Sequence, residues 1–448
     1  MIKCLSEGTG SVGARWVSCM WRYGSFMKTA GVIAEFNPLH TGHEYLIRQL
    51  RSEYGAKFCV VVMSGDYVQR GEPAFFSKFL RTKAALLSGA DLVLELPLSV
   101  STGSAEYFAE GAVSLLNRLG CVTHLGFGSE SGDVYAFRSA GKFLSQEPET
   151  YRRLLRQFLK AGMSFPRARY EALSLCPDDS EKYASEGDIT DLLSLLESPN
   201  NILGTEYCKA LYKLRSSIVP VTVKRLGAGY HEAVSPDAEY ASASGLRKAF
   251  SSSPGTDKME GLLHNYVPQA CQPLYLEALR QRQYLTFDAL FLPLYYTLQY
   301  TDAKTLSRYQ DVTPELSERL SGIFRRCSSI EELSAALKAK NLTSARIHRC
   351  LLHILLHLTK DTVAAEREQG FALYARILGF RRQAEPLLSE IKKHSSIPLV
   401  SKLADAPKTL SPSALVQLEQ TIKASELYRA ALPGTVPGSE YAQNIVIL

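Results

Sequence analysis

Short apolar runs alternate with helix-spaced apolar positions along the first half of the chain. Ala30–Ala34, Phe58–Met63, Asp91–Leu96 and Thr123–Phe127 are almost unbroken hydrophobic runs. Between them, His43–Tyr54, Ser77–Ser88 and Glu106–Leu119 carry helical periods, with Tyr45, Leu46 and Leu50 marking one face of the first. A strand that is apolar without alternation is buried on both faces, so this order predicts a parallel sheet covered by helices on each side. Val219–Val223 adds a strand and Ser244–Phe250 a helix. After Pro254-Gly255 the texture changes to amphipathic helices rich in Leu, Ala, Arg and Glu, with strand-like runs nearly absent. The expected class is α/β over residues 27–255, followed by an all-α domain over 256–448. Met1–Phe26 carries both tryptophans, Trp16 and Trp21, and no period. It is expected to be a disordered extension, and without an apolar core it is not a secretory signal.

Composition narrows the function classes. With 448 residues, 46% of them hydrophobic and 21% charged, the chain can bury a large core, which excludes global disorder. The densest apolar stretch, Leu351–Leu358, is interrupted by His353 and His357 and falls short of the ~18 residues of a membrane span. Nine scattered cysteines form no CxxC pair and no ligand spacing, which reads as reduced thiols of a cytoplasmic protein. A net charge of +6 permits an acidic partner such as RNA without demanding one. No membrane and no obligate protein partner is inferred.

The chemistry lies where the first strand runs into Glu35-Phe36-Asn37-Pro38-Leu39-His40-Thr41-Gly42-His43 and then a helix. A strand, a tight turn and a helix N-terminus at the carboxyl edge of a parallel sheet form an anion site. Gly42 removes the Cβ that would keep a phosphate from the backbone, and Asn37 and Pro38 shape the turn. His40 and His43, three residues apart, can both point at one phosphate and stabilise charge that builds on it. Two nearby histidines are by themselves a surface or core pair; in this strand–turn–helix setting they mark a nucleotide site.

Two further clusters invite a reading. Residues 151–170 hold Arg152, Arg153, Arg156, Lys160, Arg167 and Arg169 with no acid, interleaved with Tyr151, Phe158, Phe165 and Tyr170. That pattern suits RNA phosphates and unpaired bases, or else a solvated helix face. Arg70, Lys78, Arg81 and Lys83 could touch nucleotide phosphates or RNA, and the sequence does not separate the two. His353 and His357 have the spacing of a zinc pair, but no Glu follows the first and no third ligand is evident. They are expected in core or cap positions, and no protein-held metal is expected.

The His40-x-Gly-His43 motif resembles the HxGH nucleotidyltransferases, which implies a Rossmann-like domain. Ser242-Ala243-Ser244-Gly245-Leu246-Arg247 is similar to the serine-rich turn that those enzymes place over the distal phosphates; Ser242, Ser244 and Arg247 would then meet the leaving pyrophosphate. The alternative for the serines is an ordinary helix cap. Met63–Ala74, Ala90–Pro97, Phe127–Glu130, Ser198–Gly204, Lys224–His231, Ser344–Arg349 and Ile377–Phe380 narrow the resemblance to the bacterial tRNA(Met) cytidine acetate ligase family, in the right order throughout.

That resemblance implies a two-step reaction. Acetate attacks the α-phosphate of ATP, releasing pyrophosphate, and the acetyl group passes to N4 of the wobble cytidine of elongator tRNA(Met). Carried over, the ATP site comprises Ile33, Ala34, Glu35, Phe36, Asn37, Pro38, Leu39, His40, Thr41, Gly42, His43, Glu44, Tyr45 and Leu46, with Gly128, Asn200 or Asn201, and Arg225. Mg2+ would be carried by the nucleotide. His40 and His43 would be catalytic, and Arg152, Arg153, Arg156, Arg346 and Arg349 candidate tRNA contacts. Two rival readings share the motif: a small-molecule nucleotidyltransferase of pantothenate-synthetase type, and a non-catalytic nucleotide- and RNA-binding protein.

Overall fold

The computed structural model describes residues 27–176, 189–196, 198–225, 242–252, 256–339, 341–434 and 438–448. The expected extension Met1–Phe26, the boundary at Pro254-Gly255 and residues 226–231 of the Lys224–His231 motif lie outside them.

Strand β1 (Thr29–Ala34) leads to helix α1 (Thr41–Ser52), β2 (Phe58–Ser64), a small hairpin of β3 (Tyr67–Val68) and β4 (Glu72–Pro73), and α2 (Lys78–Leu87). Then come β5 (Leu92–Leu96), α3 (Ala105–Arg118), β6 (His124–Ser129), α4 (Val134–Gln146), α5 (Glu149–Lys160), α6 (Phe165–Ser174), α7 (Pro199–Lys213), β7 (Val219–Lys224) and α8 (Ala243–Ser251). These strands line up as β5-β2-β1-β6-β7, every neighbouring pair parallel. The pattern of β2 explains the two-faced sheet. Val60 and Val62 enter one core with α3 residues Phe108 and Leu116, while Cys59, Val61 and Met63 enter another with α1 residues Ile47 and Leu50. Burying each such aliphatic side chain contributes about 1.5–3 kcal/mol. Helix α1 sits tight on β6 because Gly126 has no Cβ; one there would lie 2.5 Å from Leu50. Strand order reverses at β1, between β2 and β6, and a crevice opens there at the carboxyl edge.

The second half is largely helical, as read, and includes α9 (Ser344–Leu355) and α10 (Pro412–Ala431). It is not all-α. Strand β8 (Ala375–Phe380) returns to the sheet and pairs antiparallel with β5, while β9 (Leu399–Val400) and β10 (Val446–Ile447) each pair with β8. The sheet thus has eight strands and is finished by residues from the far end of the chain. Among the described residues no helix is long and apolar enough to cross a membrane.

A buried ion cluster fastens this return. Lys78 on α2 pairs with Glu95 of β5 at 2.8 Å, with Glu440 at 2.5 Å and with Asp66 at 3.7 Å. Arg376 of β8 pairs with Glu95 and Glu440, each at 2.8 Å. Lys78 is therefore a structural cation, which corrects its reading as a phosphate or RNA contact. The same holds for Arg81, which is fully buried and donates to the carbonyls of Glu35, Ser64, Gly65 and Phe76. Lys83 is exposed. Removing one partner of a buried ion cluster leaves charge uncompensated and typically costs about 3–5 kcal/mol. Lys78→Met is accordingly expected to lower the unfolding free energy measured by urea titration by that order; an unchanged value would mean that the cluster is hydrated in solution.

Candidate functional site

The turn after β1 is held from several sides. Phe36 adopts a left-handed φ of 48°, and the Asn37–Pro38 peptide is cis. The Asn37 side chain accepts from the Phe75 amide at 2.7 Å, its carbonyl accepts from Arg247 at 2.7 Å, and the Leu39 amide donates to the Tyr275 hydroxyl at 3.1 Å. Helix α1 then starts on a cap made of histidines. The Gly42 amide donates to His40 Nδ1 at 3.1 Å and the His40 amide to His43 Nδ1 at 3.2 Å. With Nδ1 of each ring accepting, the neutral tautomer carries its proton on Nε2. The rings lie 3.9 Å apart. Burial, reinforced by Arg225, lowers His40 to about 3, and burial with its neighbours His40 and Arg225 holds His43 well below the ordinary range. Both are neutral N–H donors at physiological pH.

Ile33, Ala34, Glu35, Phe36, Asn37, His40, Gly42, His43, Tyr45 and Leu46 line one cavity of about 750 Å3. Gly128, Asn200, Arg225, Ser242, Ser244, Arg247, Arg346 and Arg349 line it too. Pro38, Leu39, Thr41 and Glu44, expected beside ATP, are not in its wall. The two asparagines separate: Asn200 reaches the cavity with its amide on Glu130 Oε1, whereas Asn201 is buried and accepts from the Glu130 backbone amide. Ser242 caps α8 through the Gly245 amide and also lines the cavity, so its role as a cap does not exclude contact with a ligand. Arg247 braces the turn through Asn37 and lies 3.8 Å from Glu72.

The helical half supplies part of the wall. Arg346 and Arg349 project from α9, and Arg349 pairs with Asp311 at 3.0 Å. Gly71, with φ +80°, lets the hairpin meet α9; a Cβ there would overlap the Arg349 amide. Gln69 of the same hairpin donates its backbone amide to the Glu35 carboxylate at 2.7 Å, and burial pushes that carboxyl's pKa up. Sequence reasoning met Gln69 only as part of the Met63–Ala74 motif, with no role, and did not single out Tyr275 or Asp311, which come from distant segments that no local signal marks.

The basic run splits. Arg153 and Arg156 on α5 are exposed and Arg152 is half-buried, lying 3.5 Å from Glu149; none of the three lines the cavity. Arg169 on α6 is buried and pairs with Glu206 at 2.5 Å, which takes it off the exposed basic face of α5 and into the wall of the cavity. His353 is enclosed between the Gln310 and Thr102 carbonyls, and His357 bonds Tyr309. Among the described residues no cluster of His, Cys, Asp and Glu could hold a metal ion.

Comparison with known proteins agrees with this geometry. A family model described as HIGH Nucleotidyl Transferase matches residues 27–443. The tRNA(Met) cytidine acetate ligase of Acetivibrio thermocellus is 38% identical over 94% of this chain and 100% of its own. That of Clostridium perfringens is 36% identical over the same shares. A crystal structure of Thermotoga maritima TmcAL bound with alpha-thio ATP superposes with a TM-score of 0.84 at 28% identity, covering 94% of this chain and 100% of that one.

The histidine cap carries a stability signature. The unfolded chain protonates His40 near 6.5 and the folded one only near 3, so acid takes stability away between those values. His40→Asn keeps an acceptor for the cap and removes the titration. Below pH 6.5, wild type should lose stability relative to this variant by about 1.4 kcal/mol per pH unit, read from urea midpoints at pH 7 and 5. Parallel slopes would place the ring in water.

Proposed function

The chain belongs to the HIGH nucleotidyl transferase family, among its tRNA(Met) cytidine acetate ligases, and on that premise we propose the reaction it performs. Acetate attacks the α-phosphate of ATP to give acetyl-adenylate and pyrophosphate. The N4 amine of the wobble cytidine of elongator tRNA(Met) then attacks the acetyl carbonyl, the C–O bond to phosphate breaks, and N4-acetylcytidine, AMP and a proton result. The setting is the cytoplasm.

One observation supports this reading above the others. His40 and His43, with Nδ1 of each ring engaged in the cap, line a cavity to which the helical half contributes Arg346 and Arg349. Neutral N–H donors stabilise charge that grows on the α-phosphate without first needing a counter-ion. Ser242, Ser244 and the N-terminus of α8 suit pyrophosphate, Arg225, near enough to depress both histidines, suits a phosphate, and Gly128 and Asn200 suit the nucleoside. Mg2+ would come with the nucleotide, held by its phosphates, as this cation usually is. A small-molecule nucleotidyltransferase would share the histidines but has no use for Arg346 and Arg349 in the cavity wall.

Purified protein with ATP, labelled acetate and total tRNA should place label in RNA. Label in a small product would favour the small-molecule reading, and no label a non-catalytic one. His43→Ala is expected to lower the rate of pyrophosphate release by about 10²–10³, with ATP affinity changed far less, because the ring acts on transition-state charge. Release at the wild-type rate would refute that role. Reversing Arg152, Arg153 and Arg156 to Glu should weaken tRNA binding and reduce its salt dependence, while tRNA-free adenylation stays intact. Unchanged affinity at two salt concentrations would return α5 to a solvated face.

A further inference from the structure

One guanidinium in the cavity wall has part of its hydrogen-bonding capacity unused. Arg169 is 5% exposed. Its Nη1 donates to Glu206 on α7, but its Nε and Nη2 are enclosed with no hydrogen-bond partner among the described residues. A buried donor left unmade is costly, more so on a charged group, and a wall residue with two such donors is where an acceptor from outside the chain belongs.

The chemistry of that acceptor follows from shape, charge and surroundings. Nε–H and Nη2–H lie side by side on one edge of the planar group and address two adjacent acceptors on a planar partner. Glu206 offsets the guanidinium charge and, against burial, holds the Arg169 pKa up; Lys209, 3.9 Å from the same carboxylate, is itself matched by Glu106 and Glu147, so the cluster suits an uncharged edge better than an anion. Phe165 and Tyr207 border the same cavity with flat rings, and Leu203 adds apolar surface. Beside α6, helix α5 exposes Arg153 and Arg156, where an RNA backbone can lie.

We propose that the Nε–Nη2 edge of Arg169 reads the N3 and O2 acceptors of the cytosine that is acetylated, leaving its N4 amine free to attack. Uracil presents an N3–H donor at that place and meets a donor with a donor. Adenine has no adjacent pair of acceptors, so the base of ATP does not satisfy the edge. The proposal rests on the tRNA-acetylating reading above and adds to it the residue that selects the base.

Arg169→Lys keeps a cation beside Glu206 and removes the two-donor edge. The readout is binding to elongator tRNA(Met) transcripts that carry cytidine or uridine at the acceptor position. Wild type should prefer cytidine by about 5- to 150-fold, the usual worth of a bidentate base contact. In the variant the ratio should fall towards one, with acetate-dependent ATP–pyrophosphate exchange and the KM for acetate at wild-type values. Arg169→Met combined with Glu206→Leu removes both charges, guards against a stranded carboxylate, and should give the same ratio. A cytidine preference that survives in Arg169→Lys overturns the proposal. So does a raised KM for acetate, which would assign the edge to the acid, or loss of exchange, which would assign it to ATP or to the fold. Wild-type protein that exchanges pyrophosphate but never acetylates tRNA overturns the functional reading itself, and this inference with it.

Discussion

A guanidinium without water organises the carboxyl edge of the sheet. Arg81 is fully buried, and its donors go to the carbonyls of Glu35, Ser64, Gly65 and Phe76. The first three lie where β1 and β2 stop and the fourth just ahead of α2, so one side chain ties the ends of the two central strands, where the histidine turn begins, to the start of that helix. Hydrogen bonds to a charged group contribute about 1.5–3 kcal/mol each, and here they are made to backbone that neither strand can use for itself. Asn37, Arg247 and Tyr275 then hold the turn from the hairpin, α8 and the helical half. Catalytic geometry at His40 and His43 is inherited from this frame.

How much of this the sequence could disclose depends on how local each feature is. Continuous runs such as Phe58–Met63 state their own burial, and the parallel sheet follows. Strand β8 is different: Arg376 and Gly379 interrupt its apolar run, and it lies among helical periods, so its pairing with β5 depends on partners nearly three hundred residues away. Lys78 and Arg81 look like surface cations because only the fold brings Glu95, Glu440 and the strand-end carbonyls to them. Arg169 belonged by charge to a basic run; its burial depends on Glu206, which no spacing reveals. The histidines were legible as a motif, but their role in capping α1 was not, because Ser, Thr, Asp and Asn are the usual caps.

The cavity's carboxylates are mostly compensated. Glu206 is matched by Arg169, Asp311 by Arg349, and Glu106 by Lys209, Lys213 and Arg367. The histidines add donors and no charge. A highly anionic nucleotide therefore meets N–H dipoles in a site with little negative charge to repel it, an arrangement suited to a substrate whose product must also leave.

The late return of β8 bears on how the chain is made. Between Leu96 and Ala375 the ribosome adds about 280 residues. At roughly 5–20 residues per second, β5 waits some 15–55 seconds with its outer edge unpaired. An apolar strand in that state is a template for pairing with another chain. Glu95 sits in that strand, and a buried charge awaiting Arg376 makes the open edge a poor match for a foreign strand. The ion cluster that locks the finished sheet thus also guards the unfinished one.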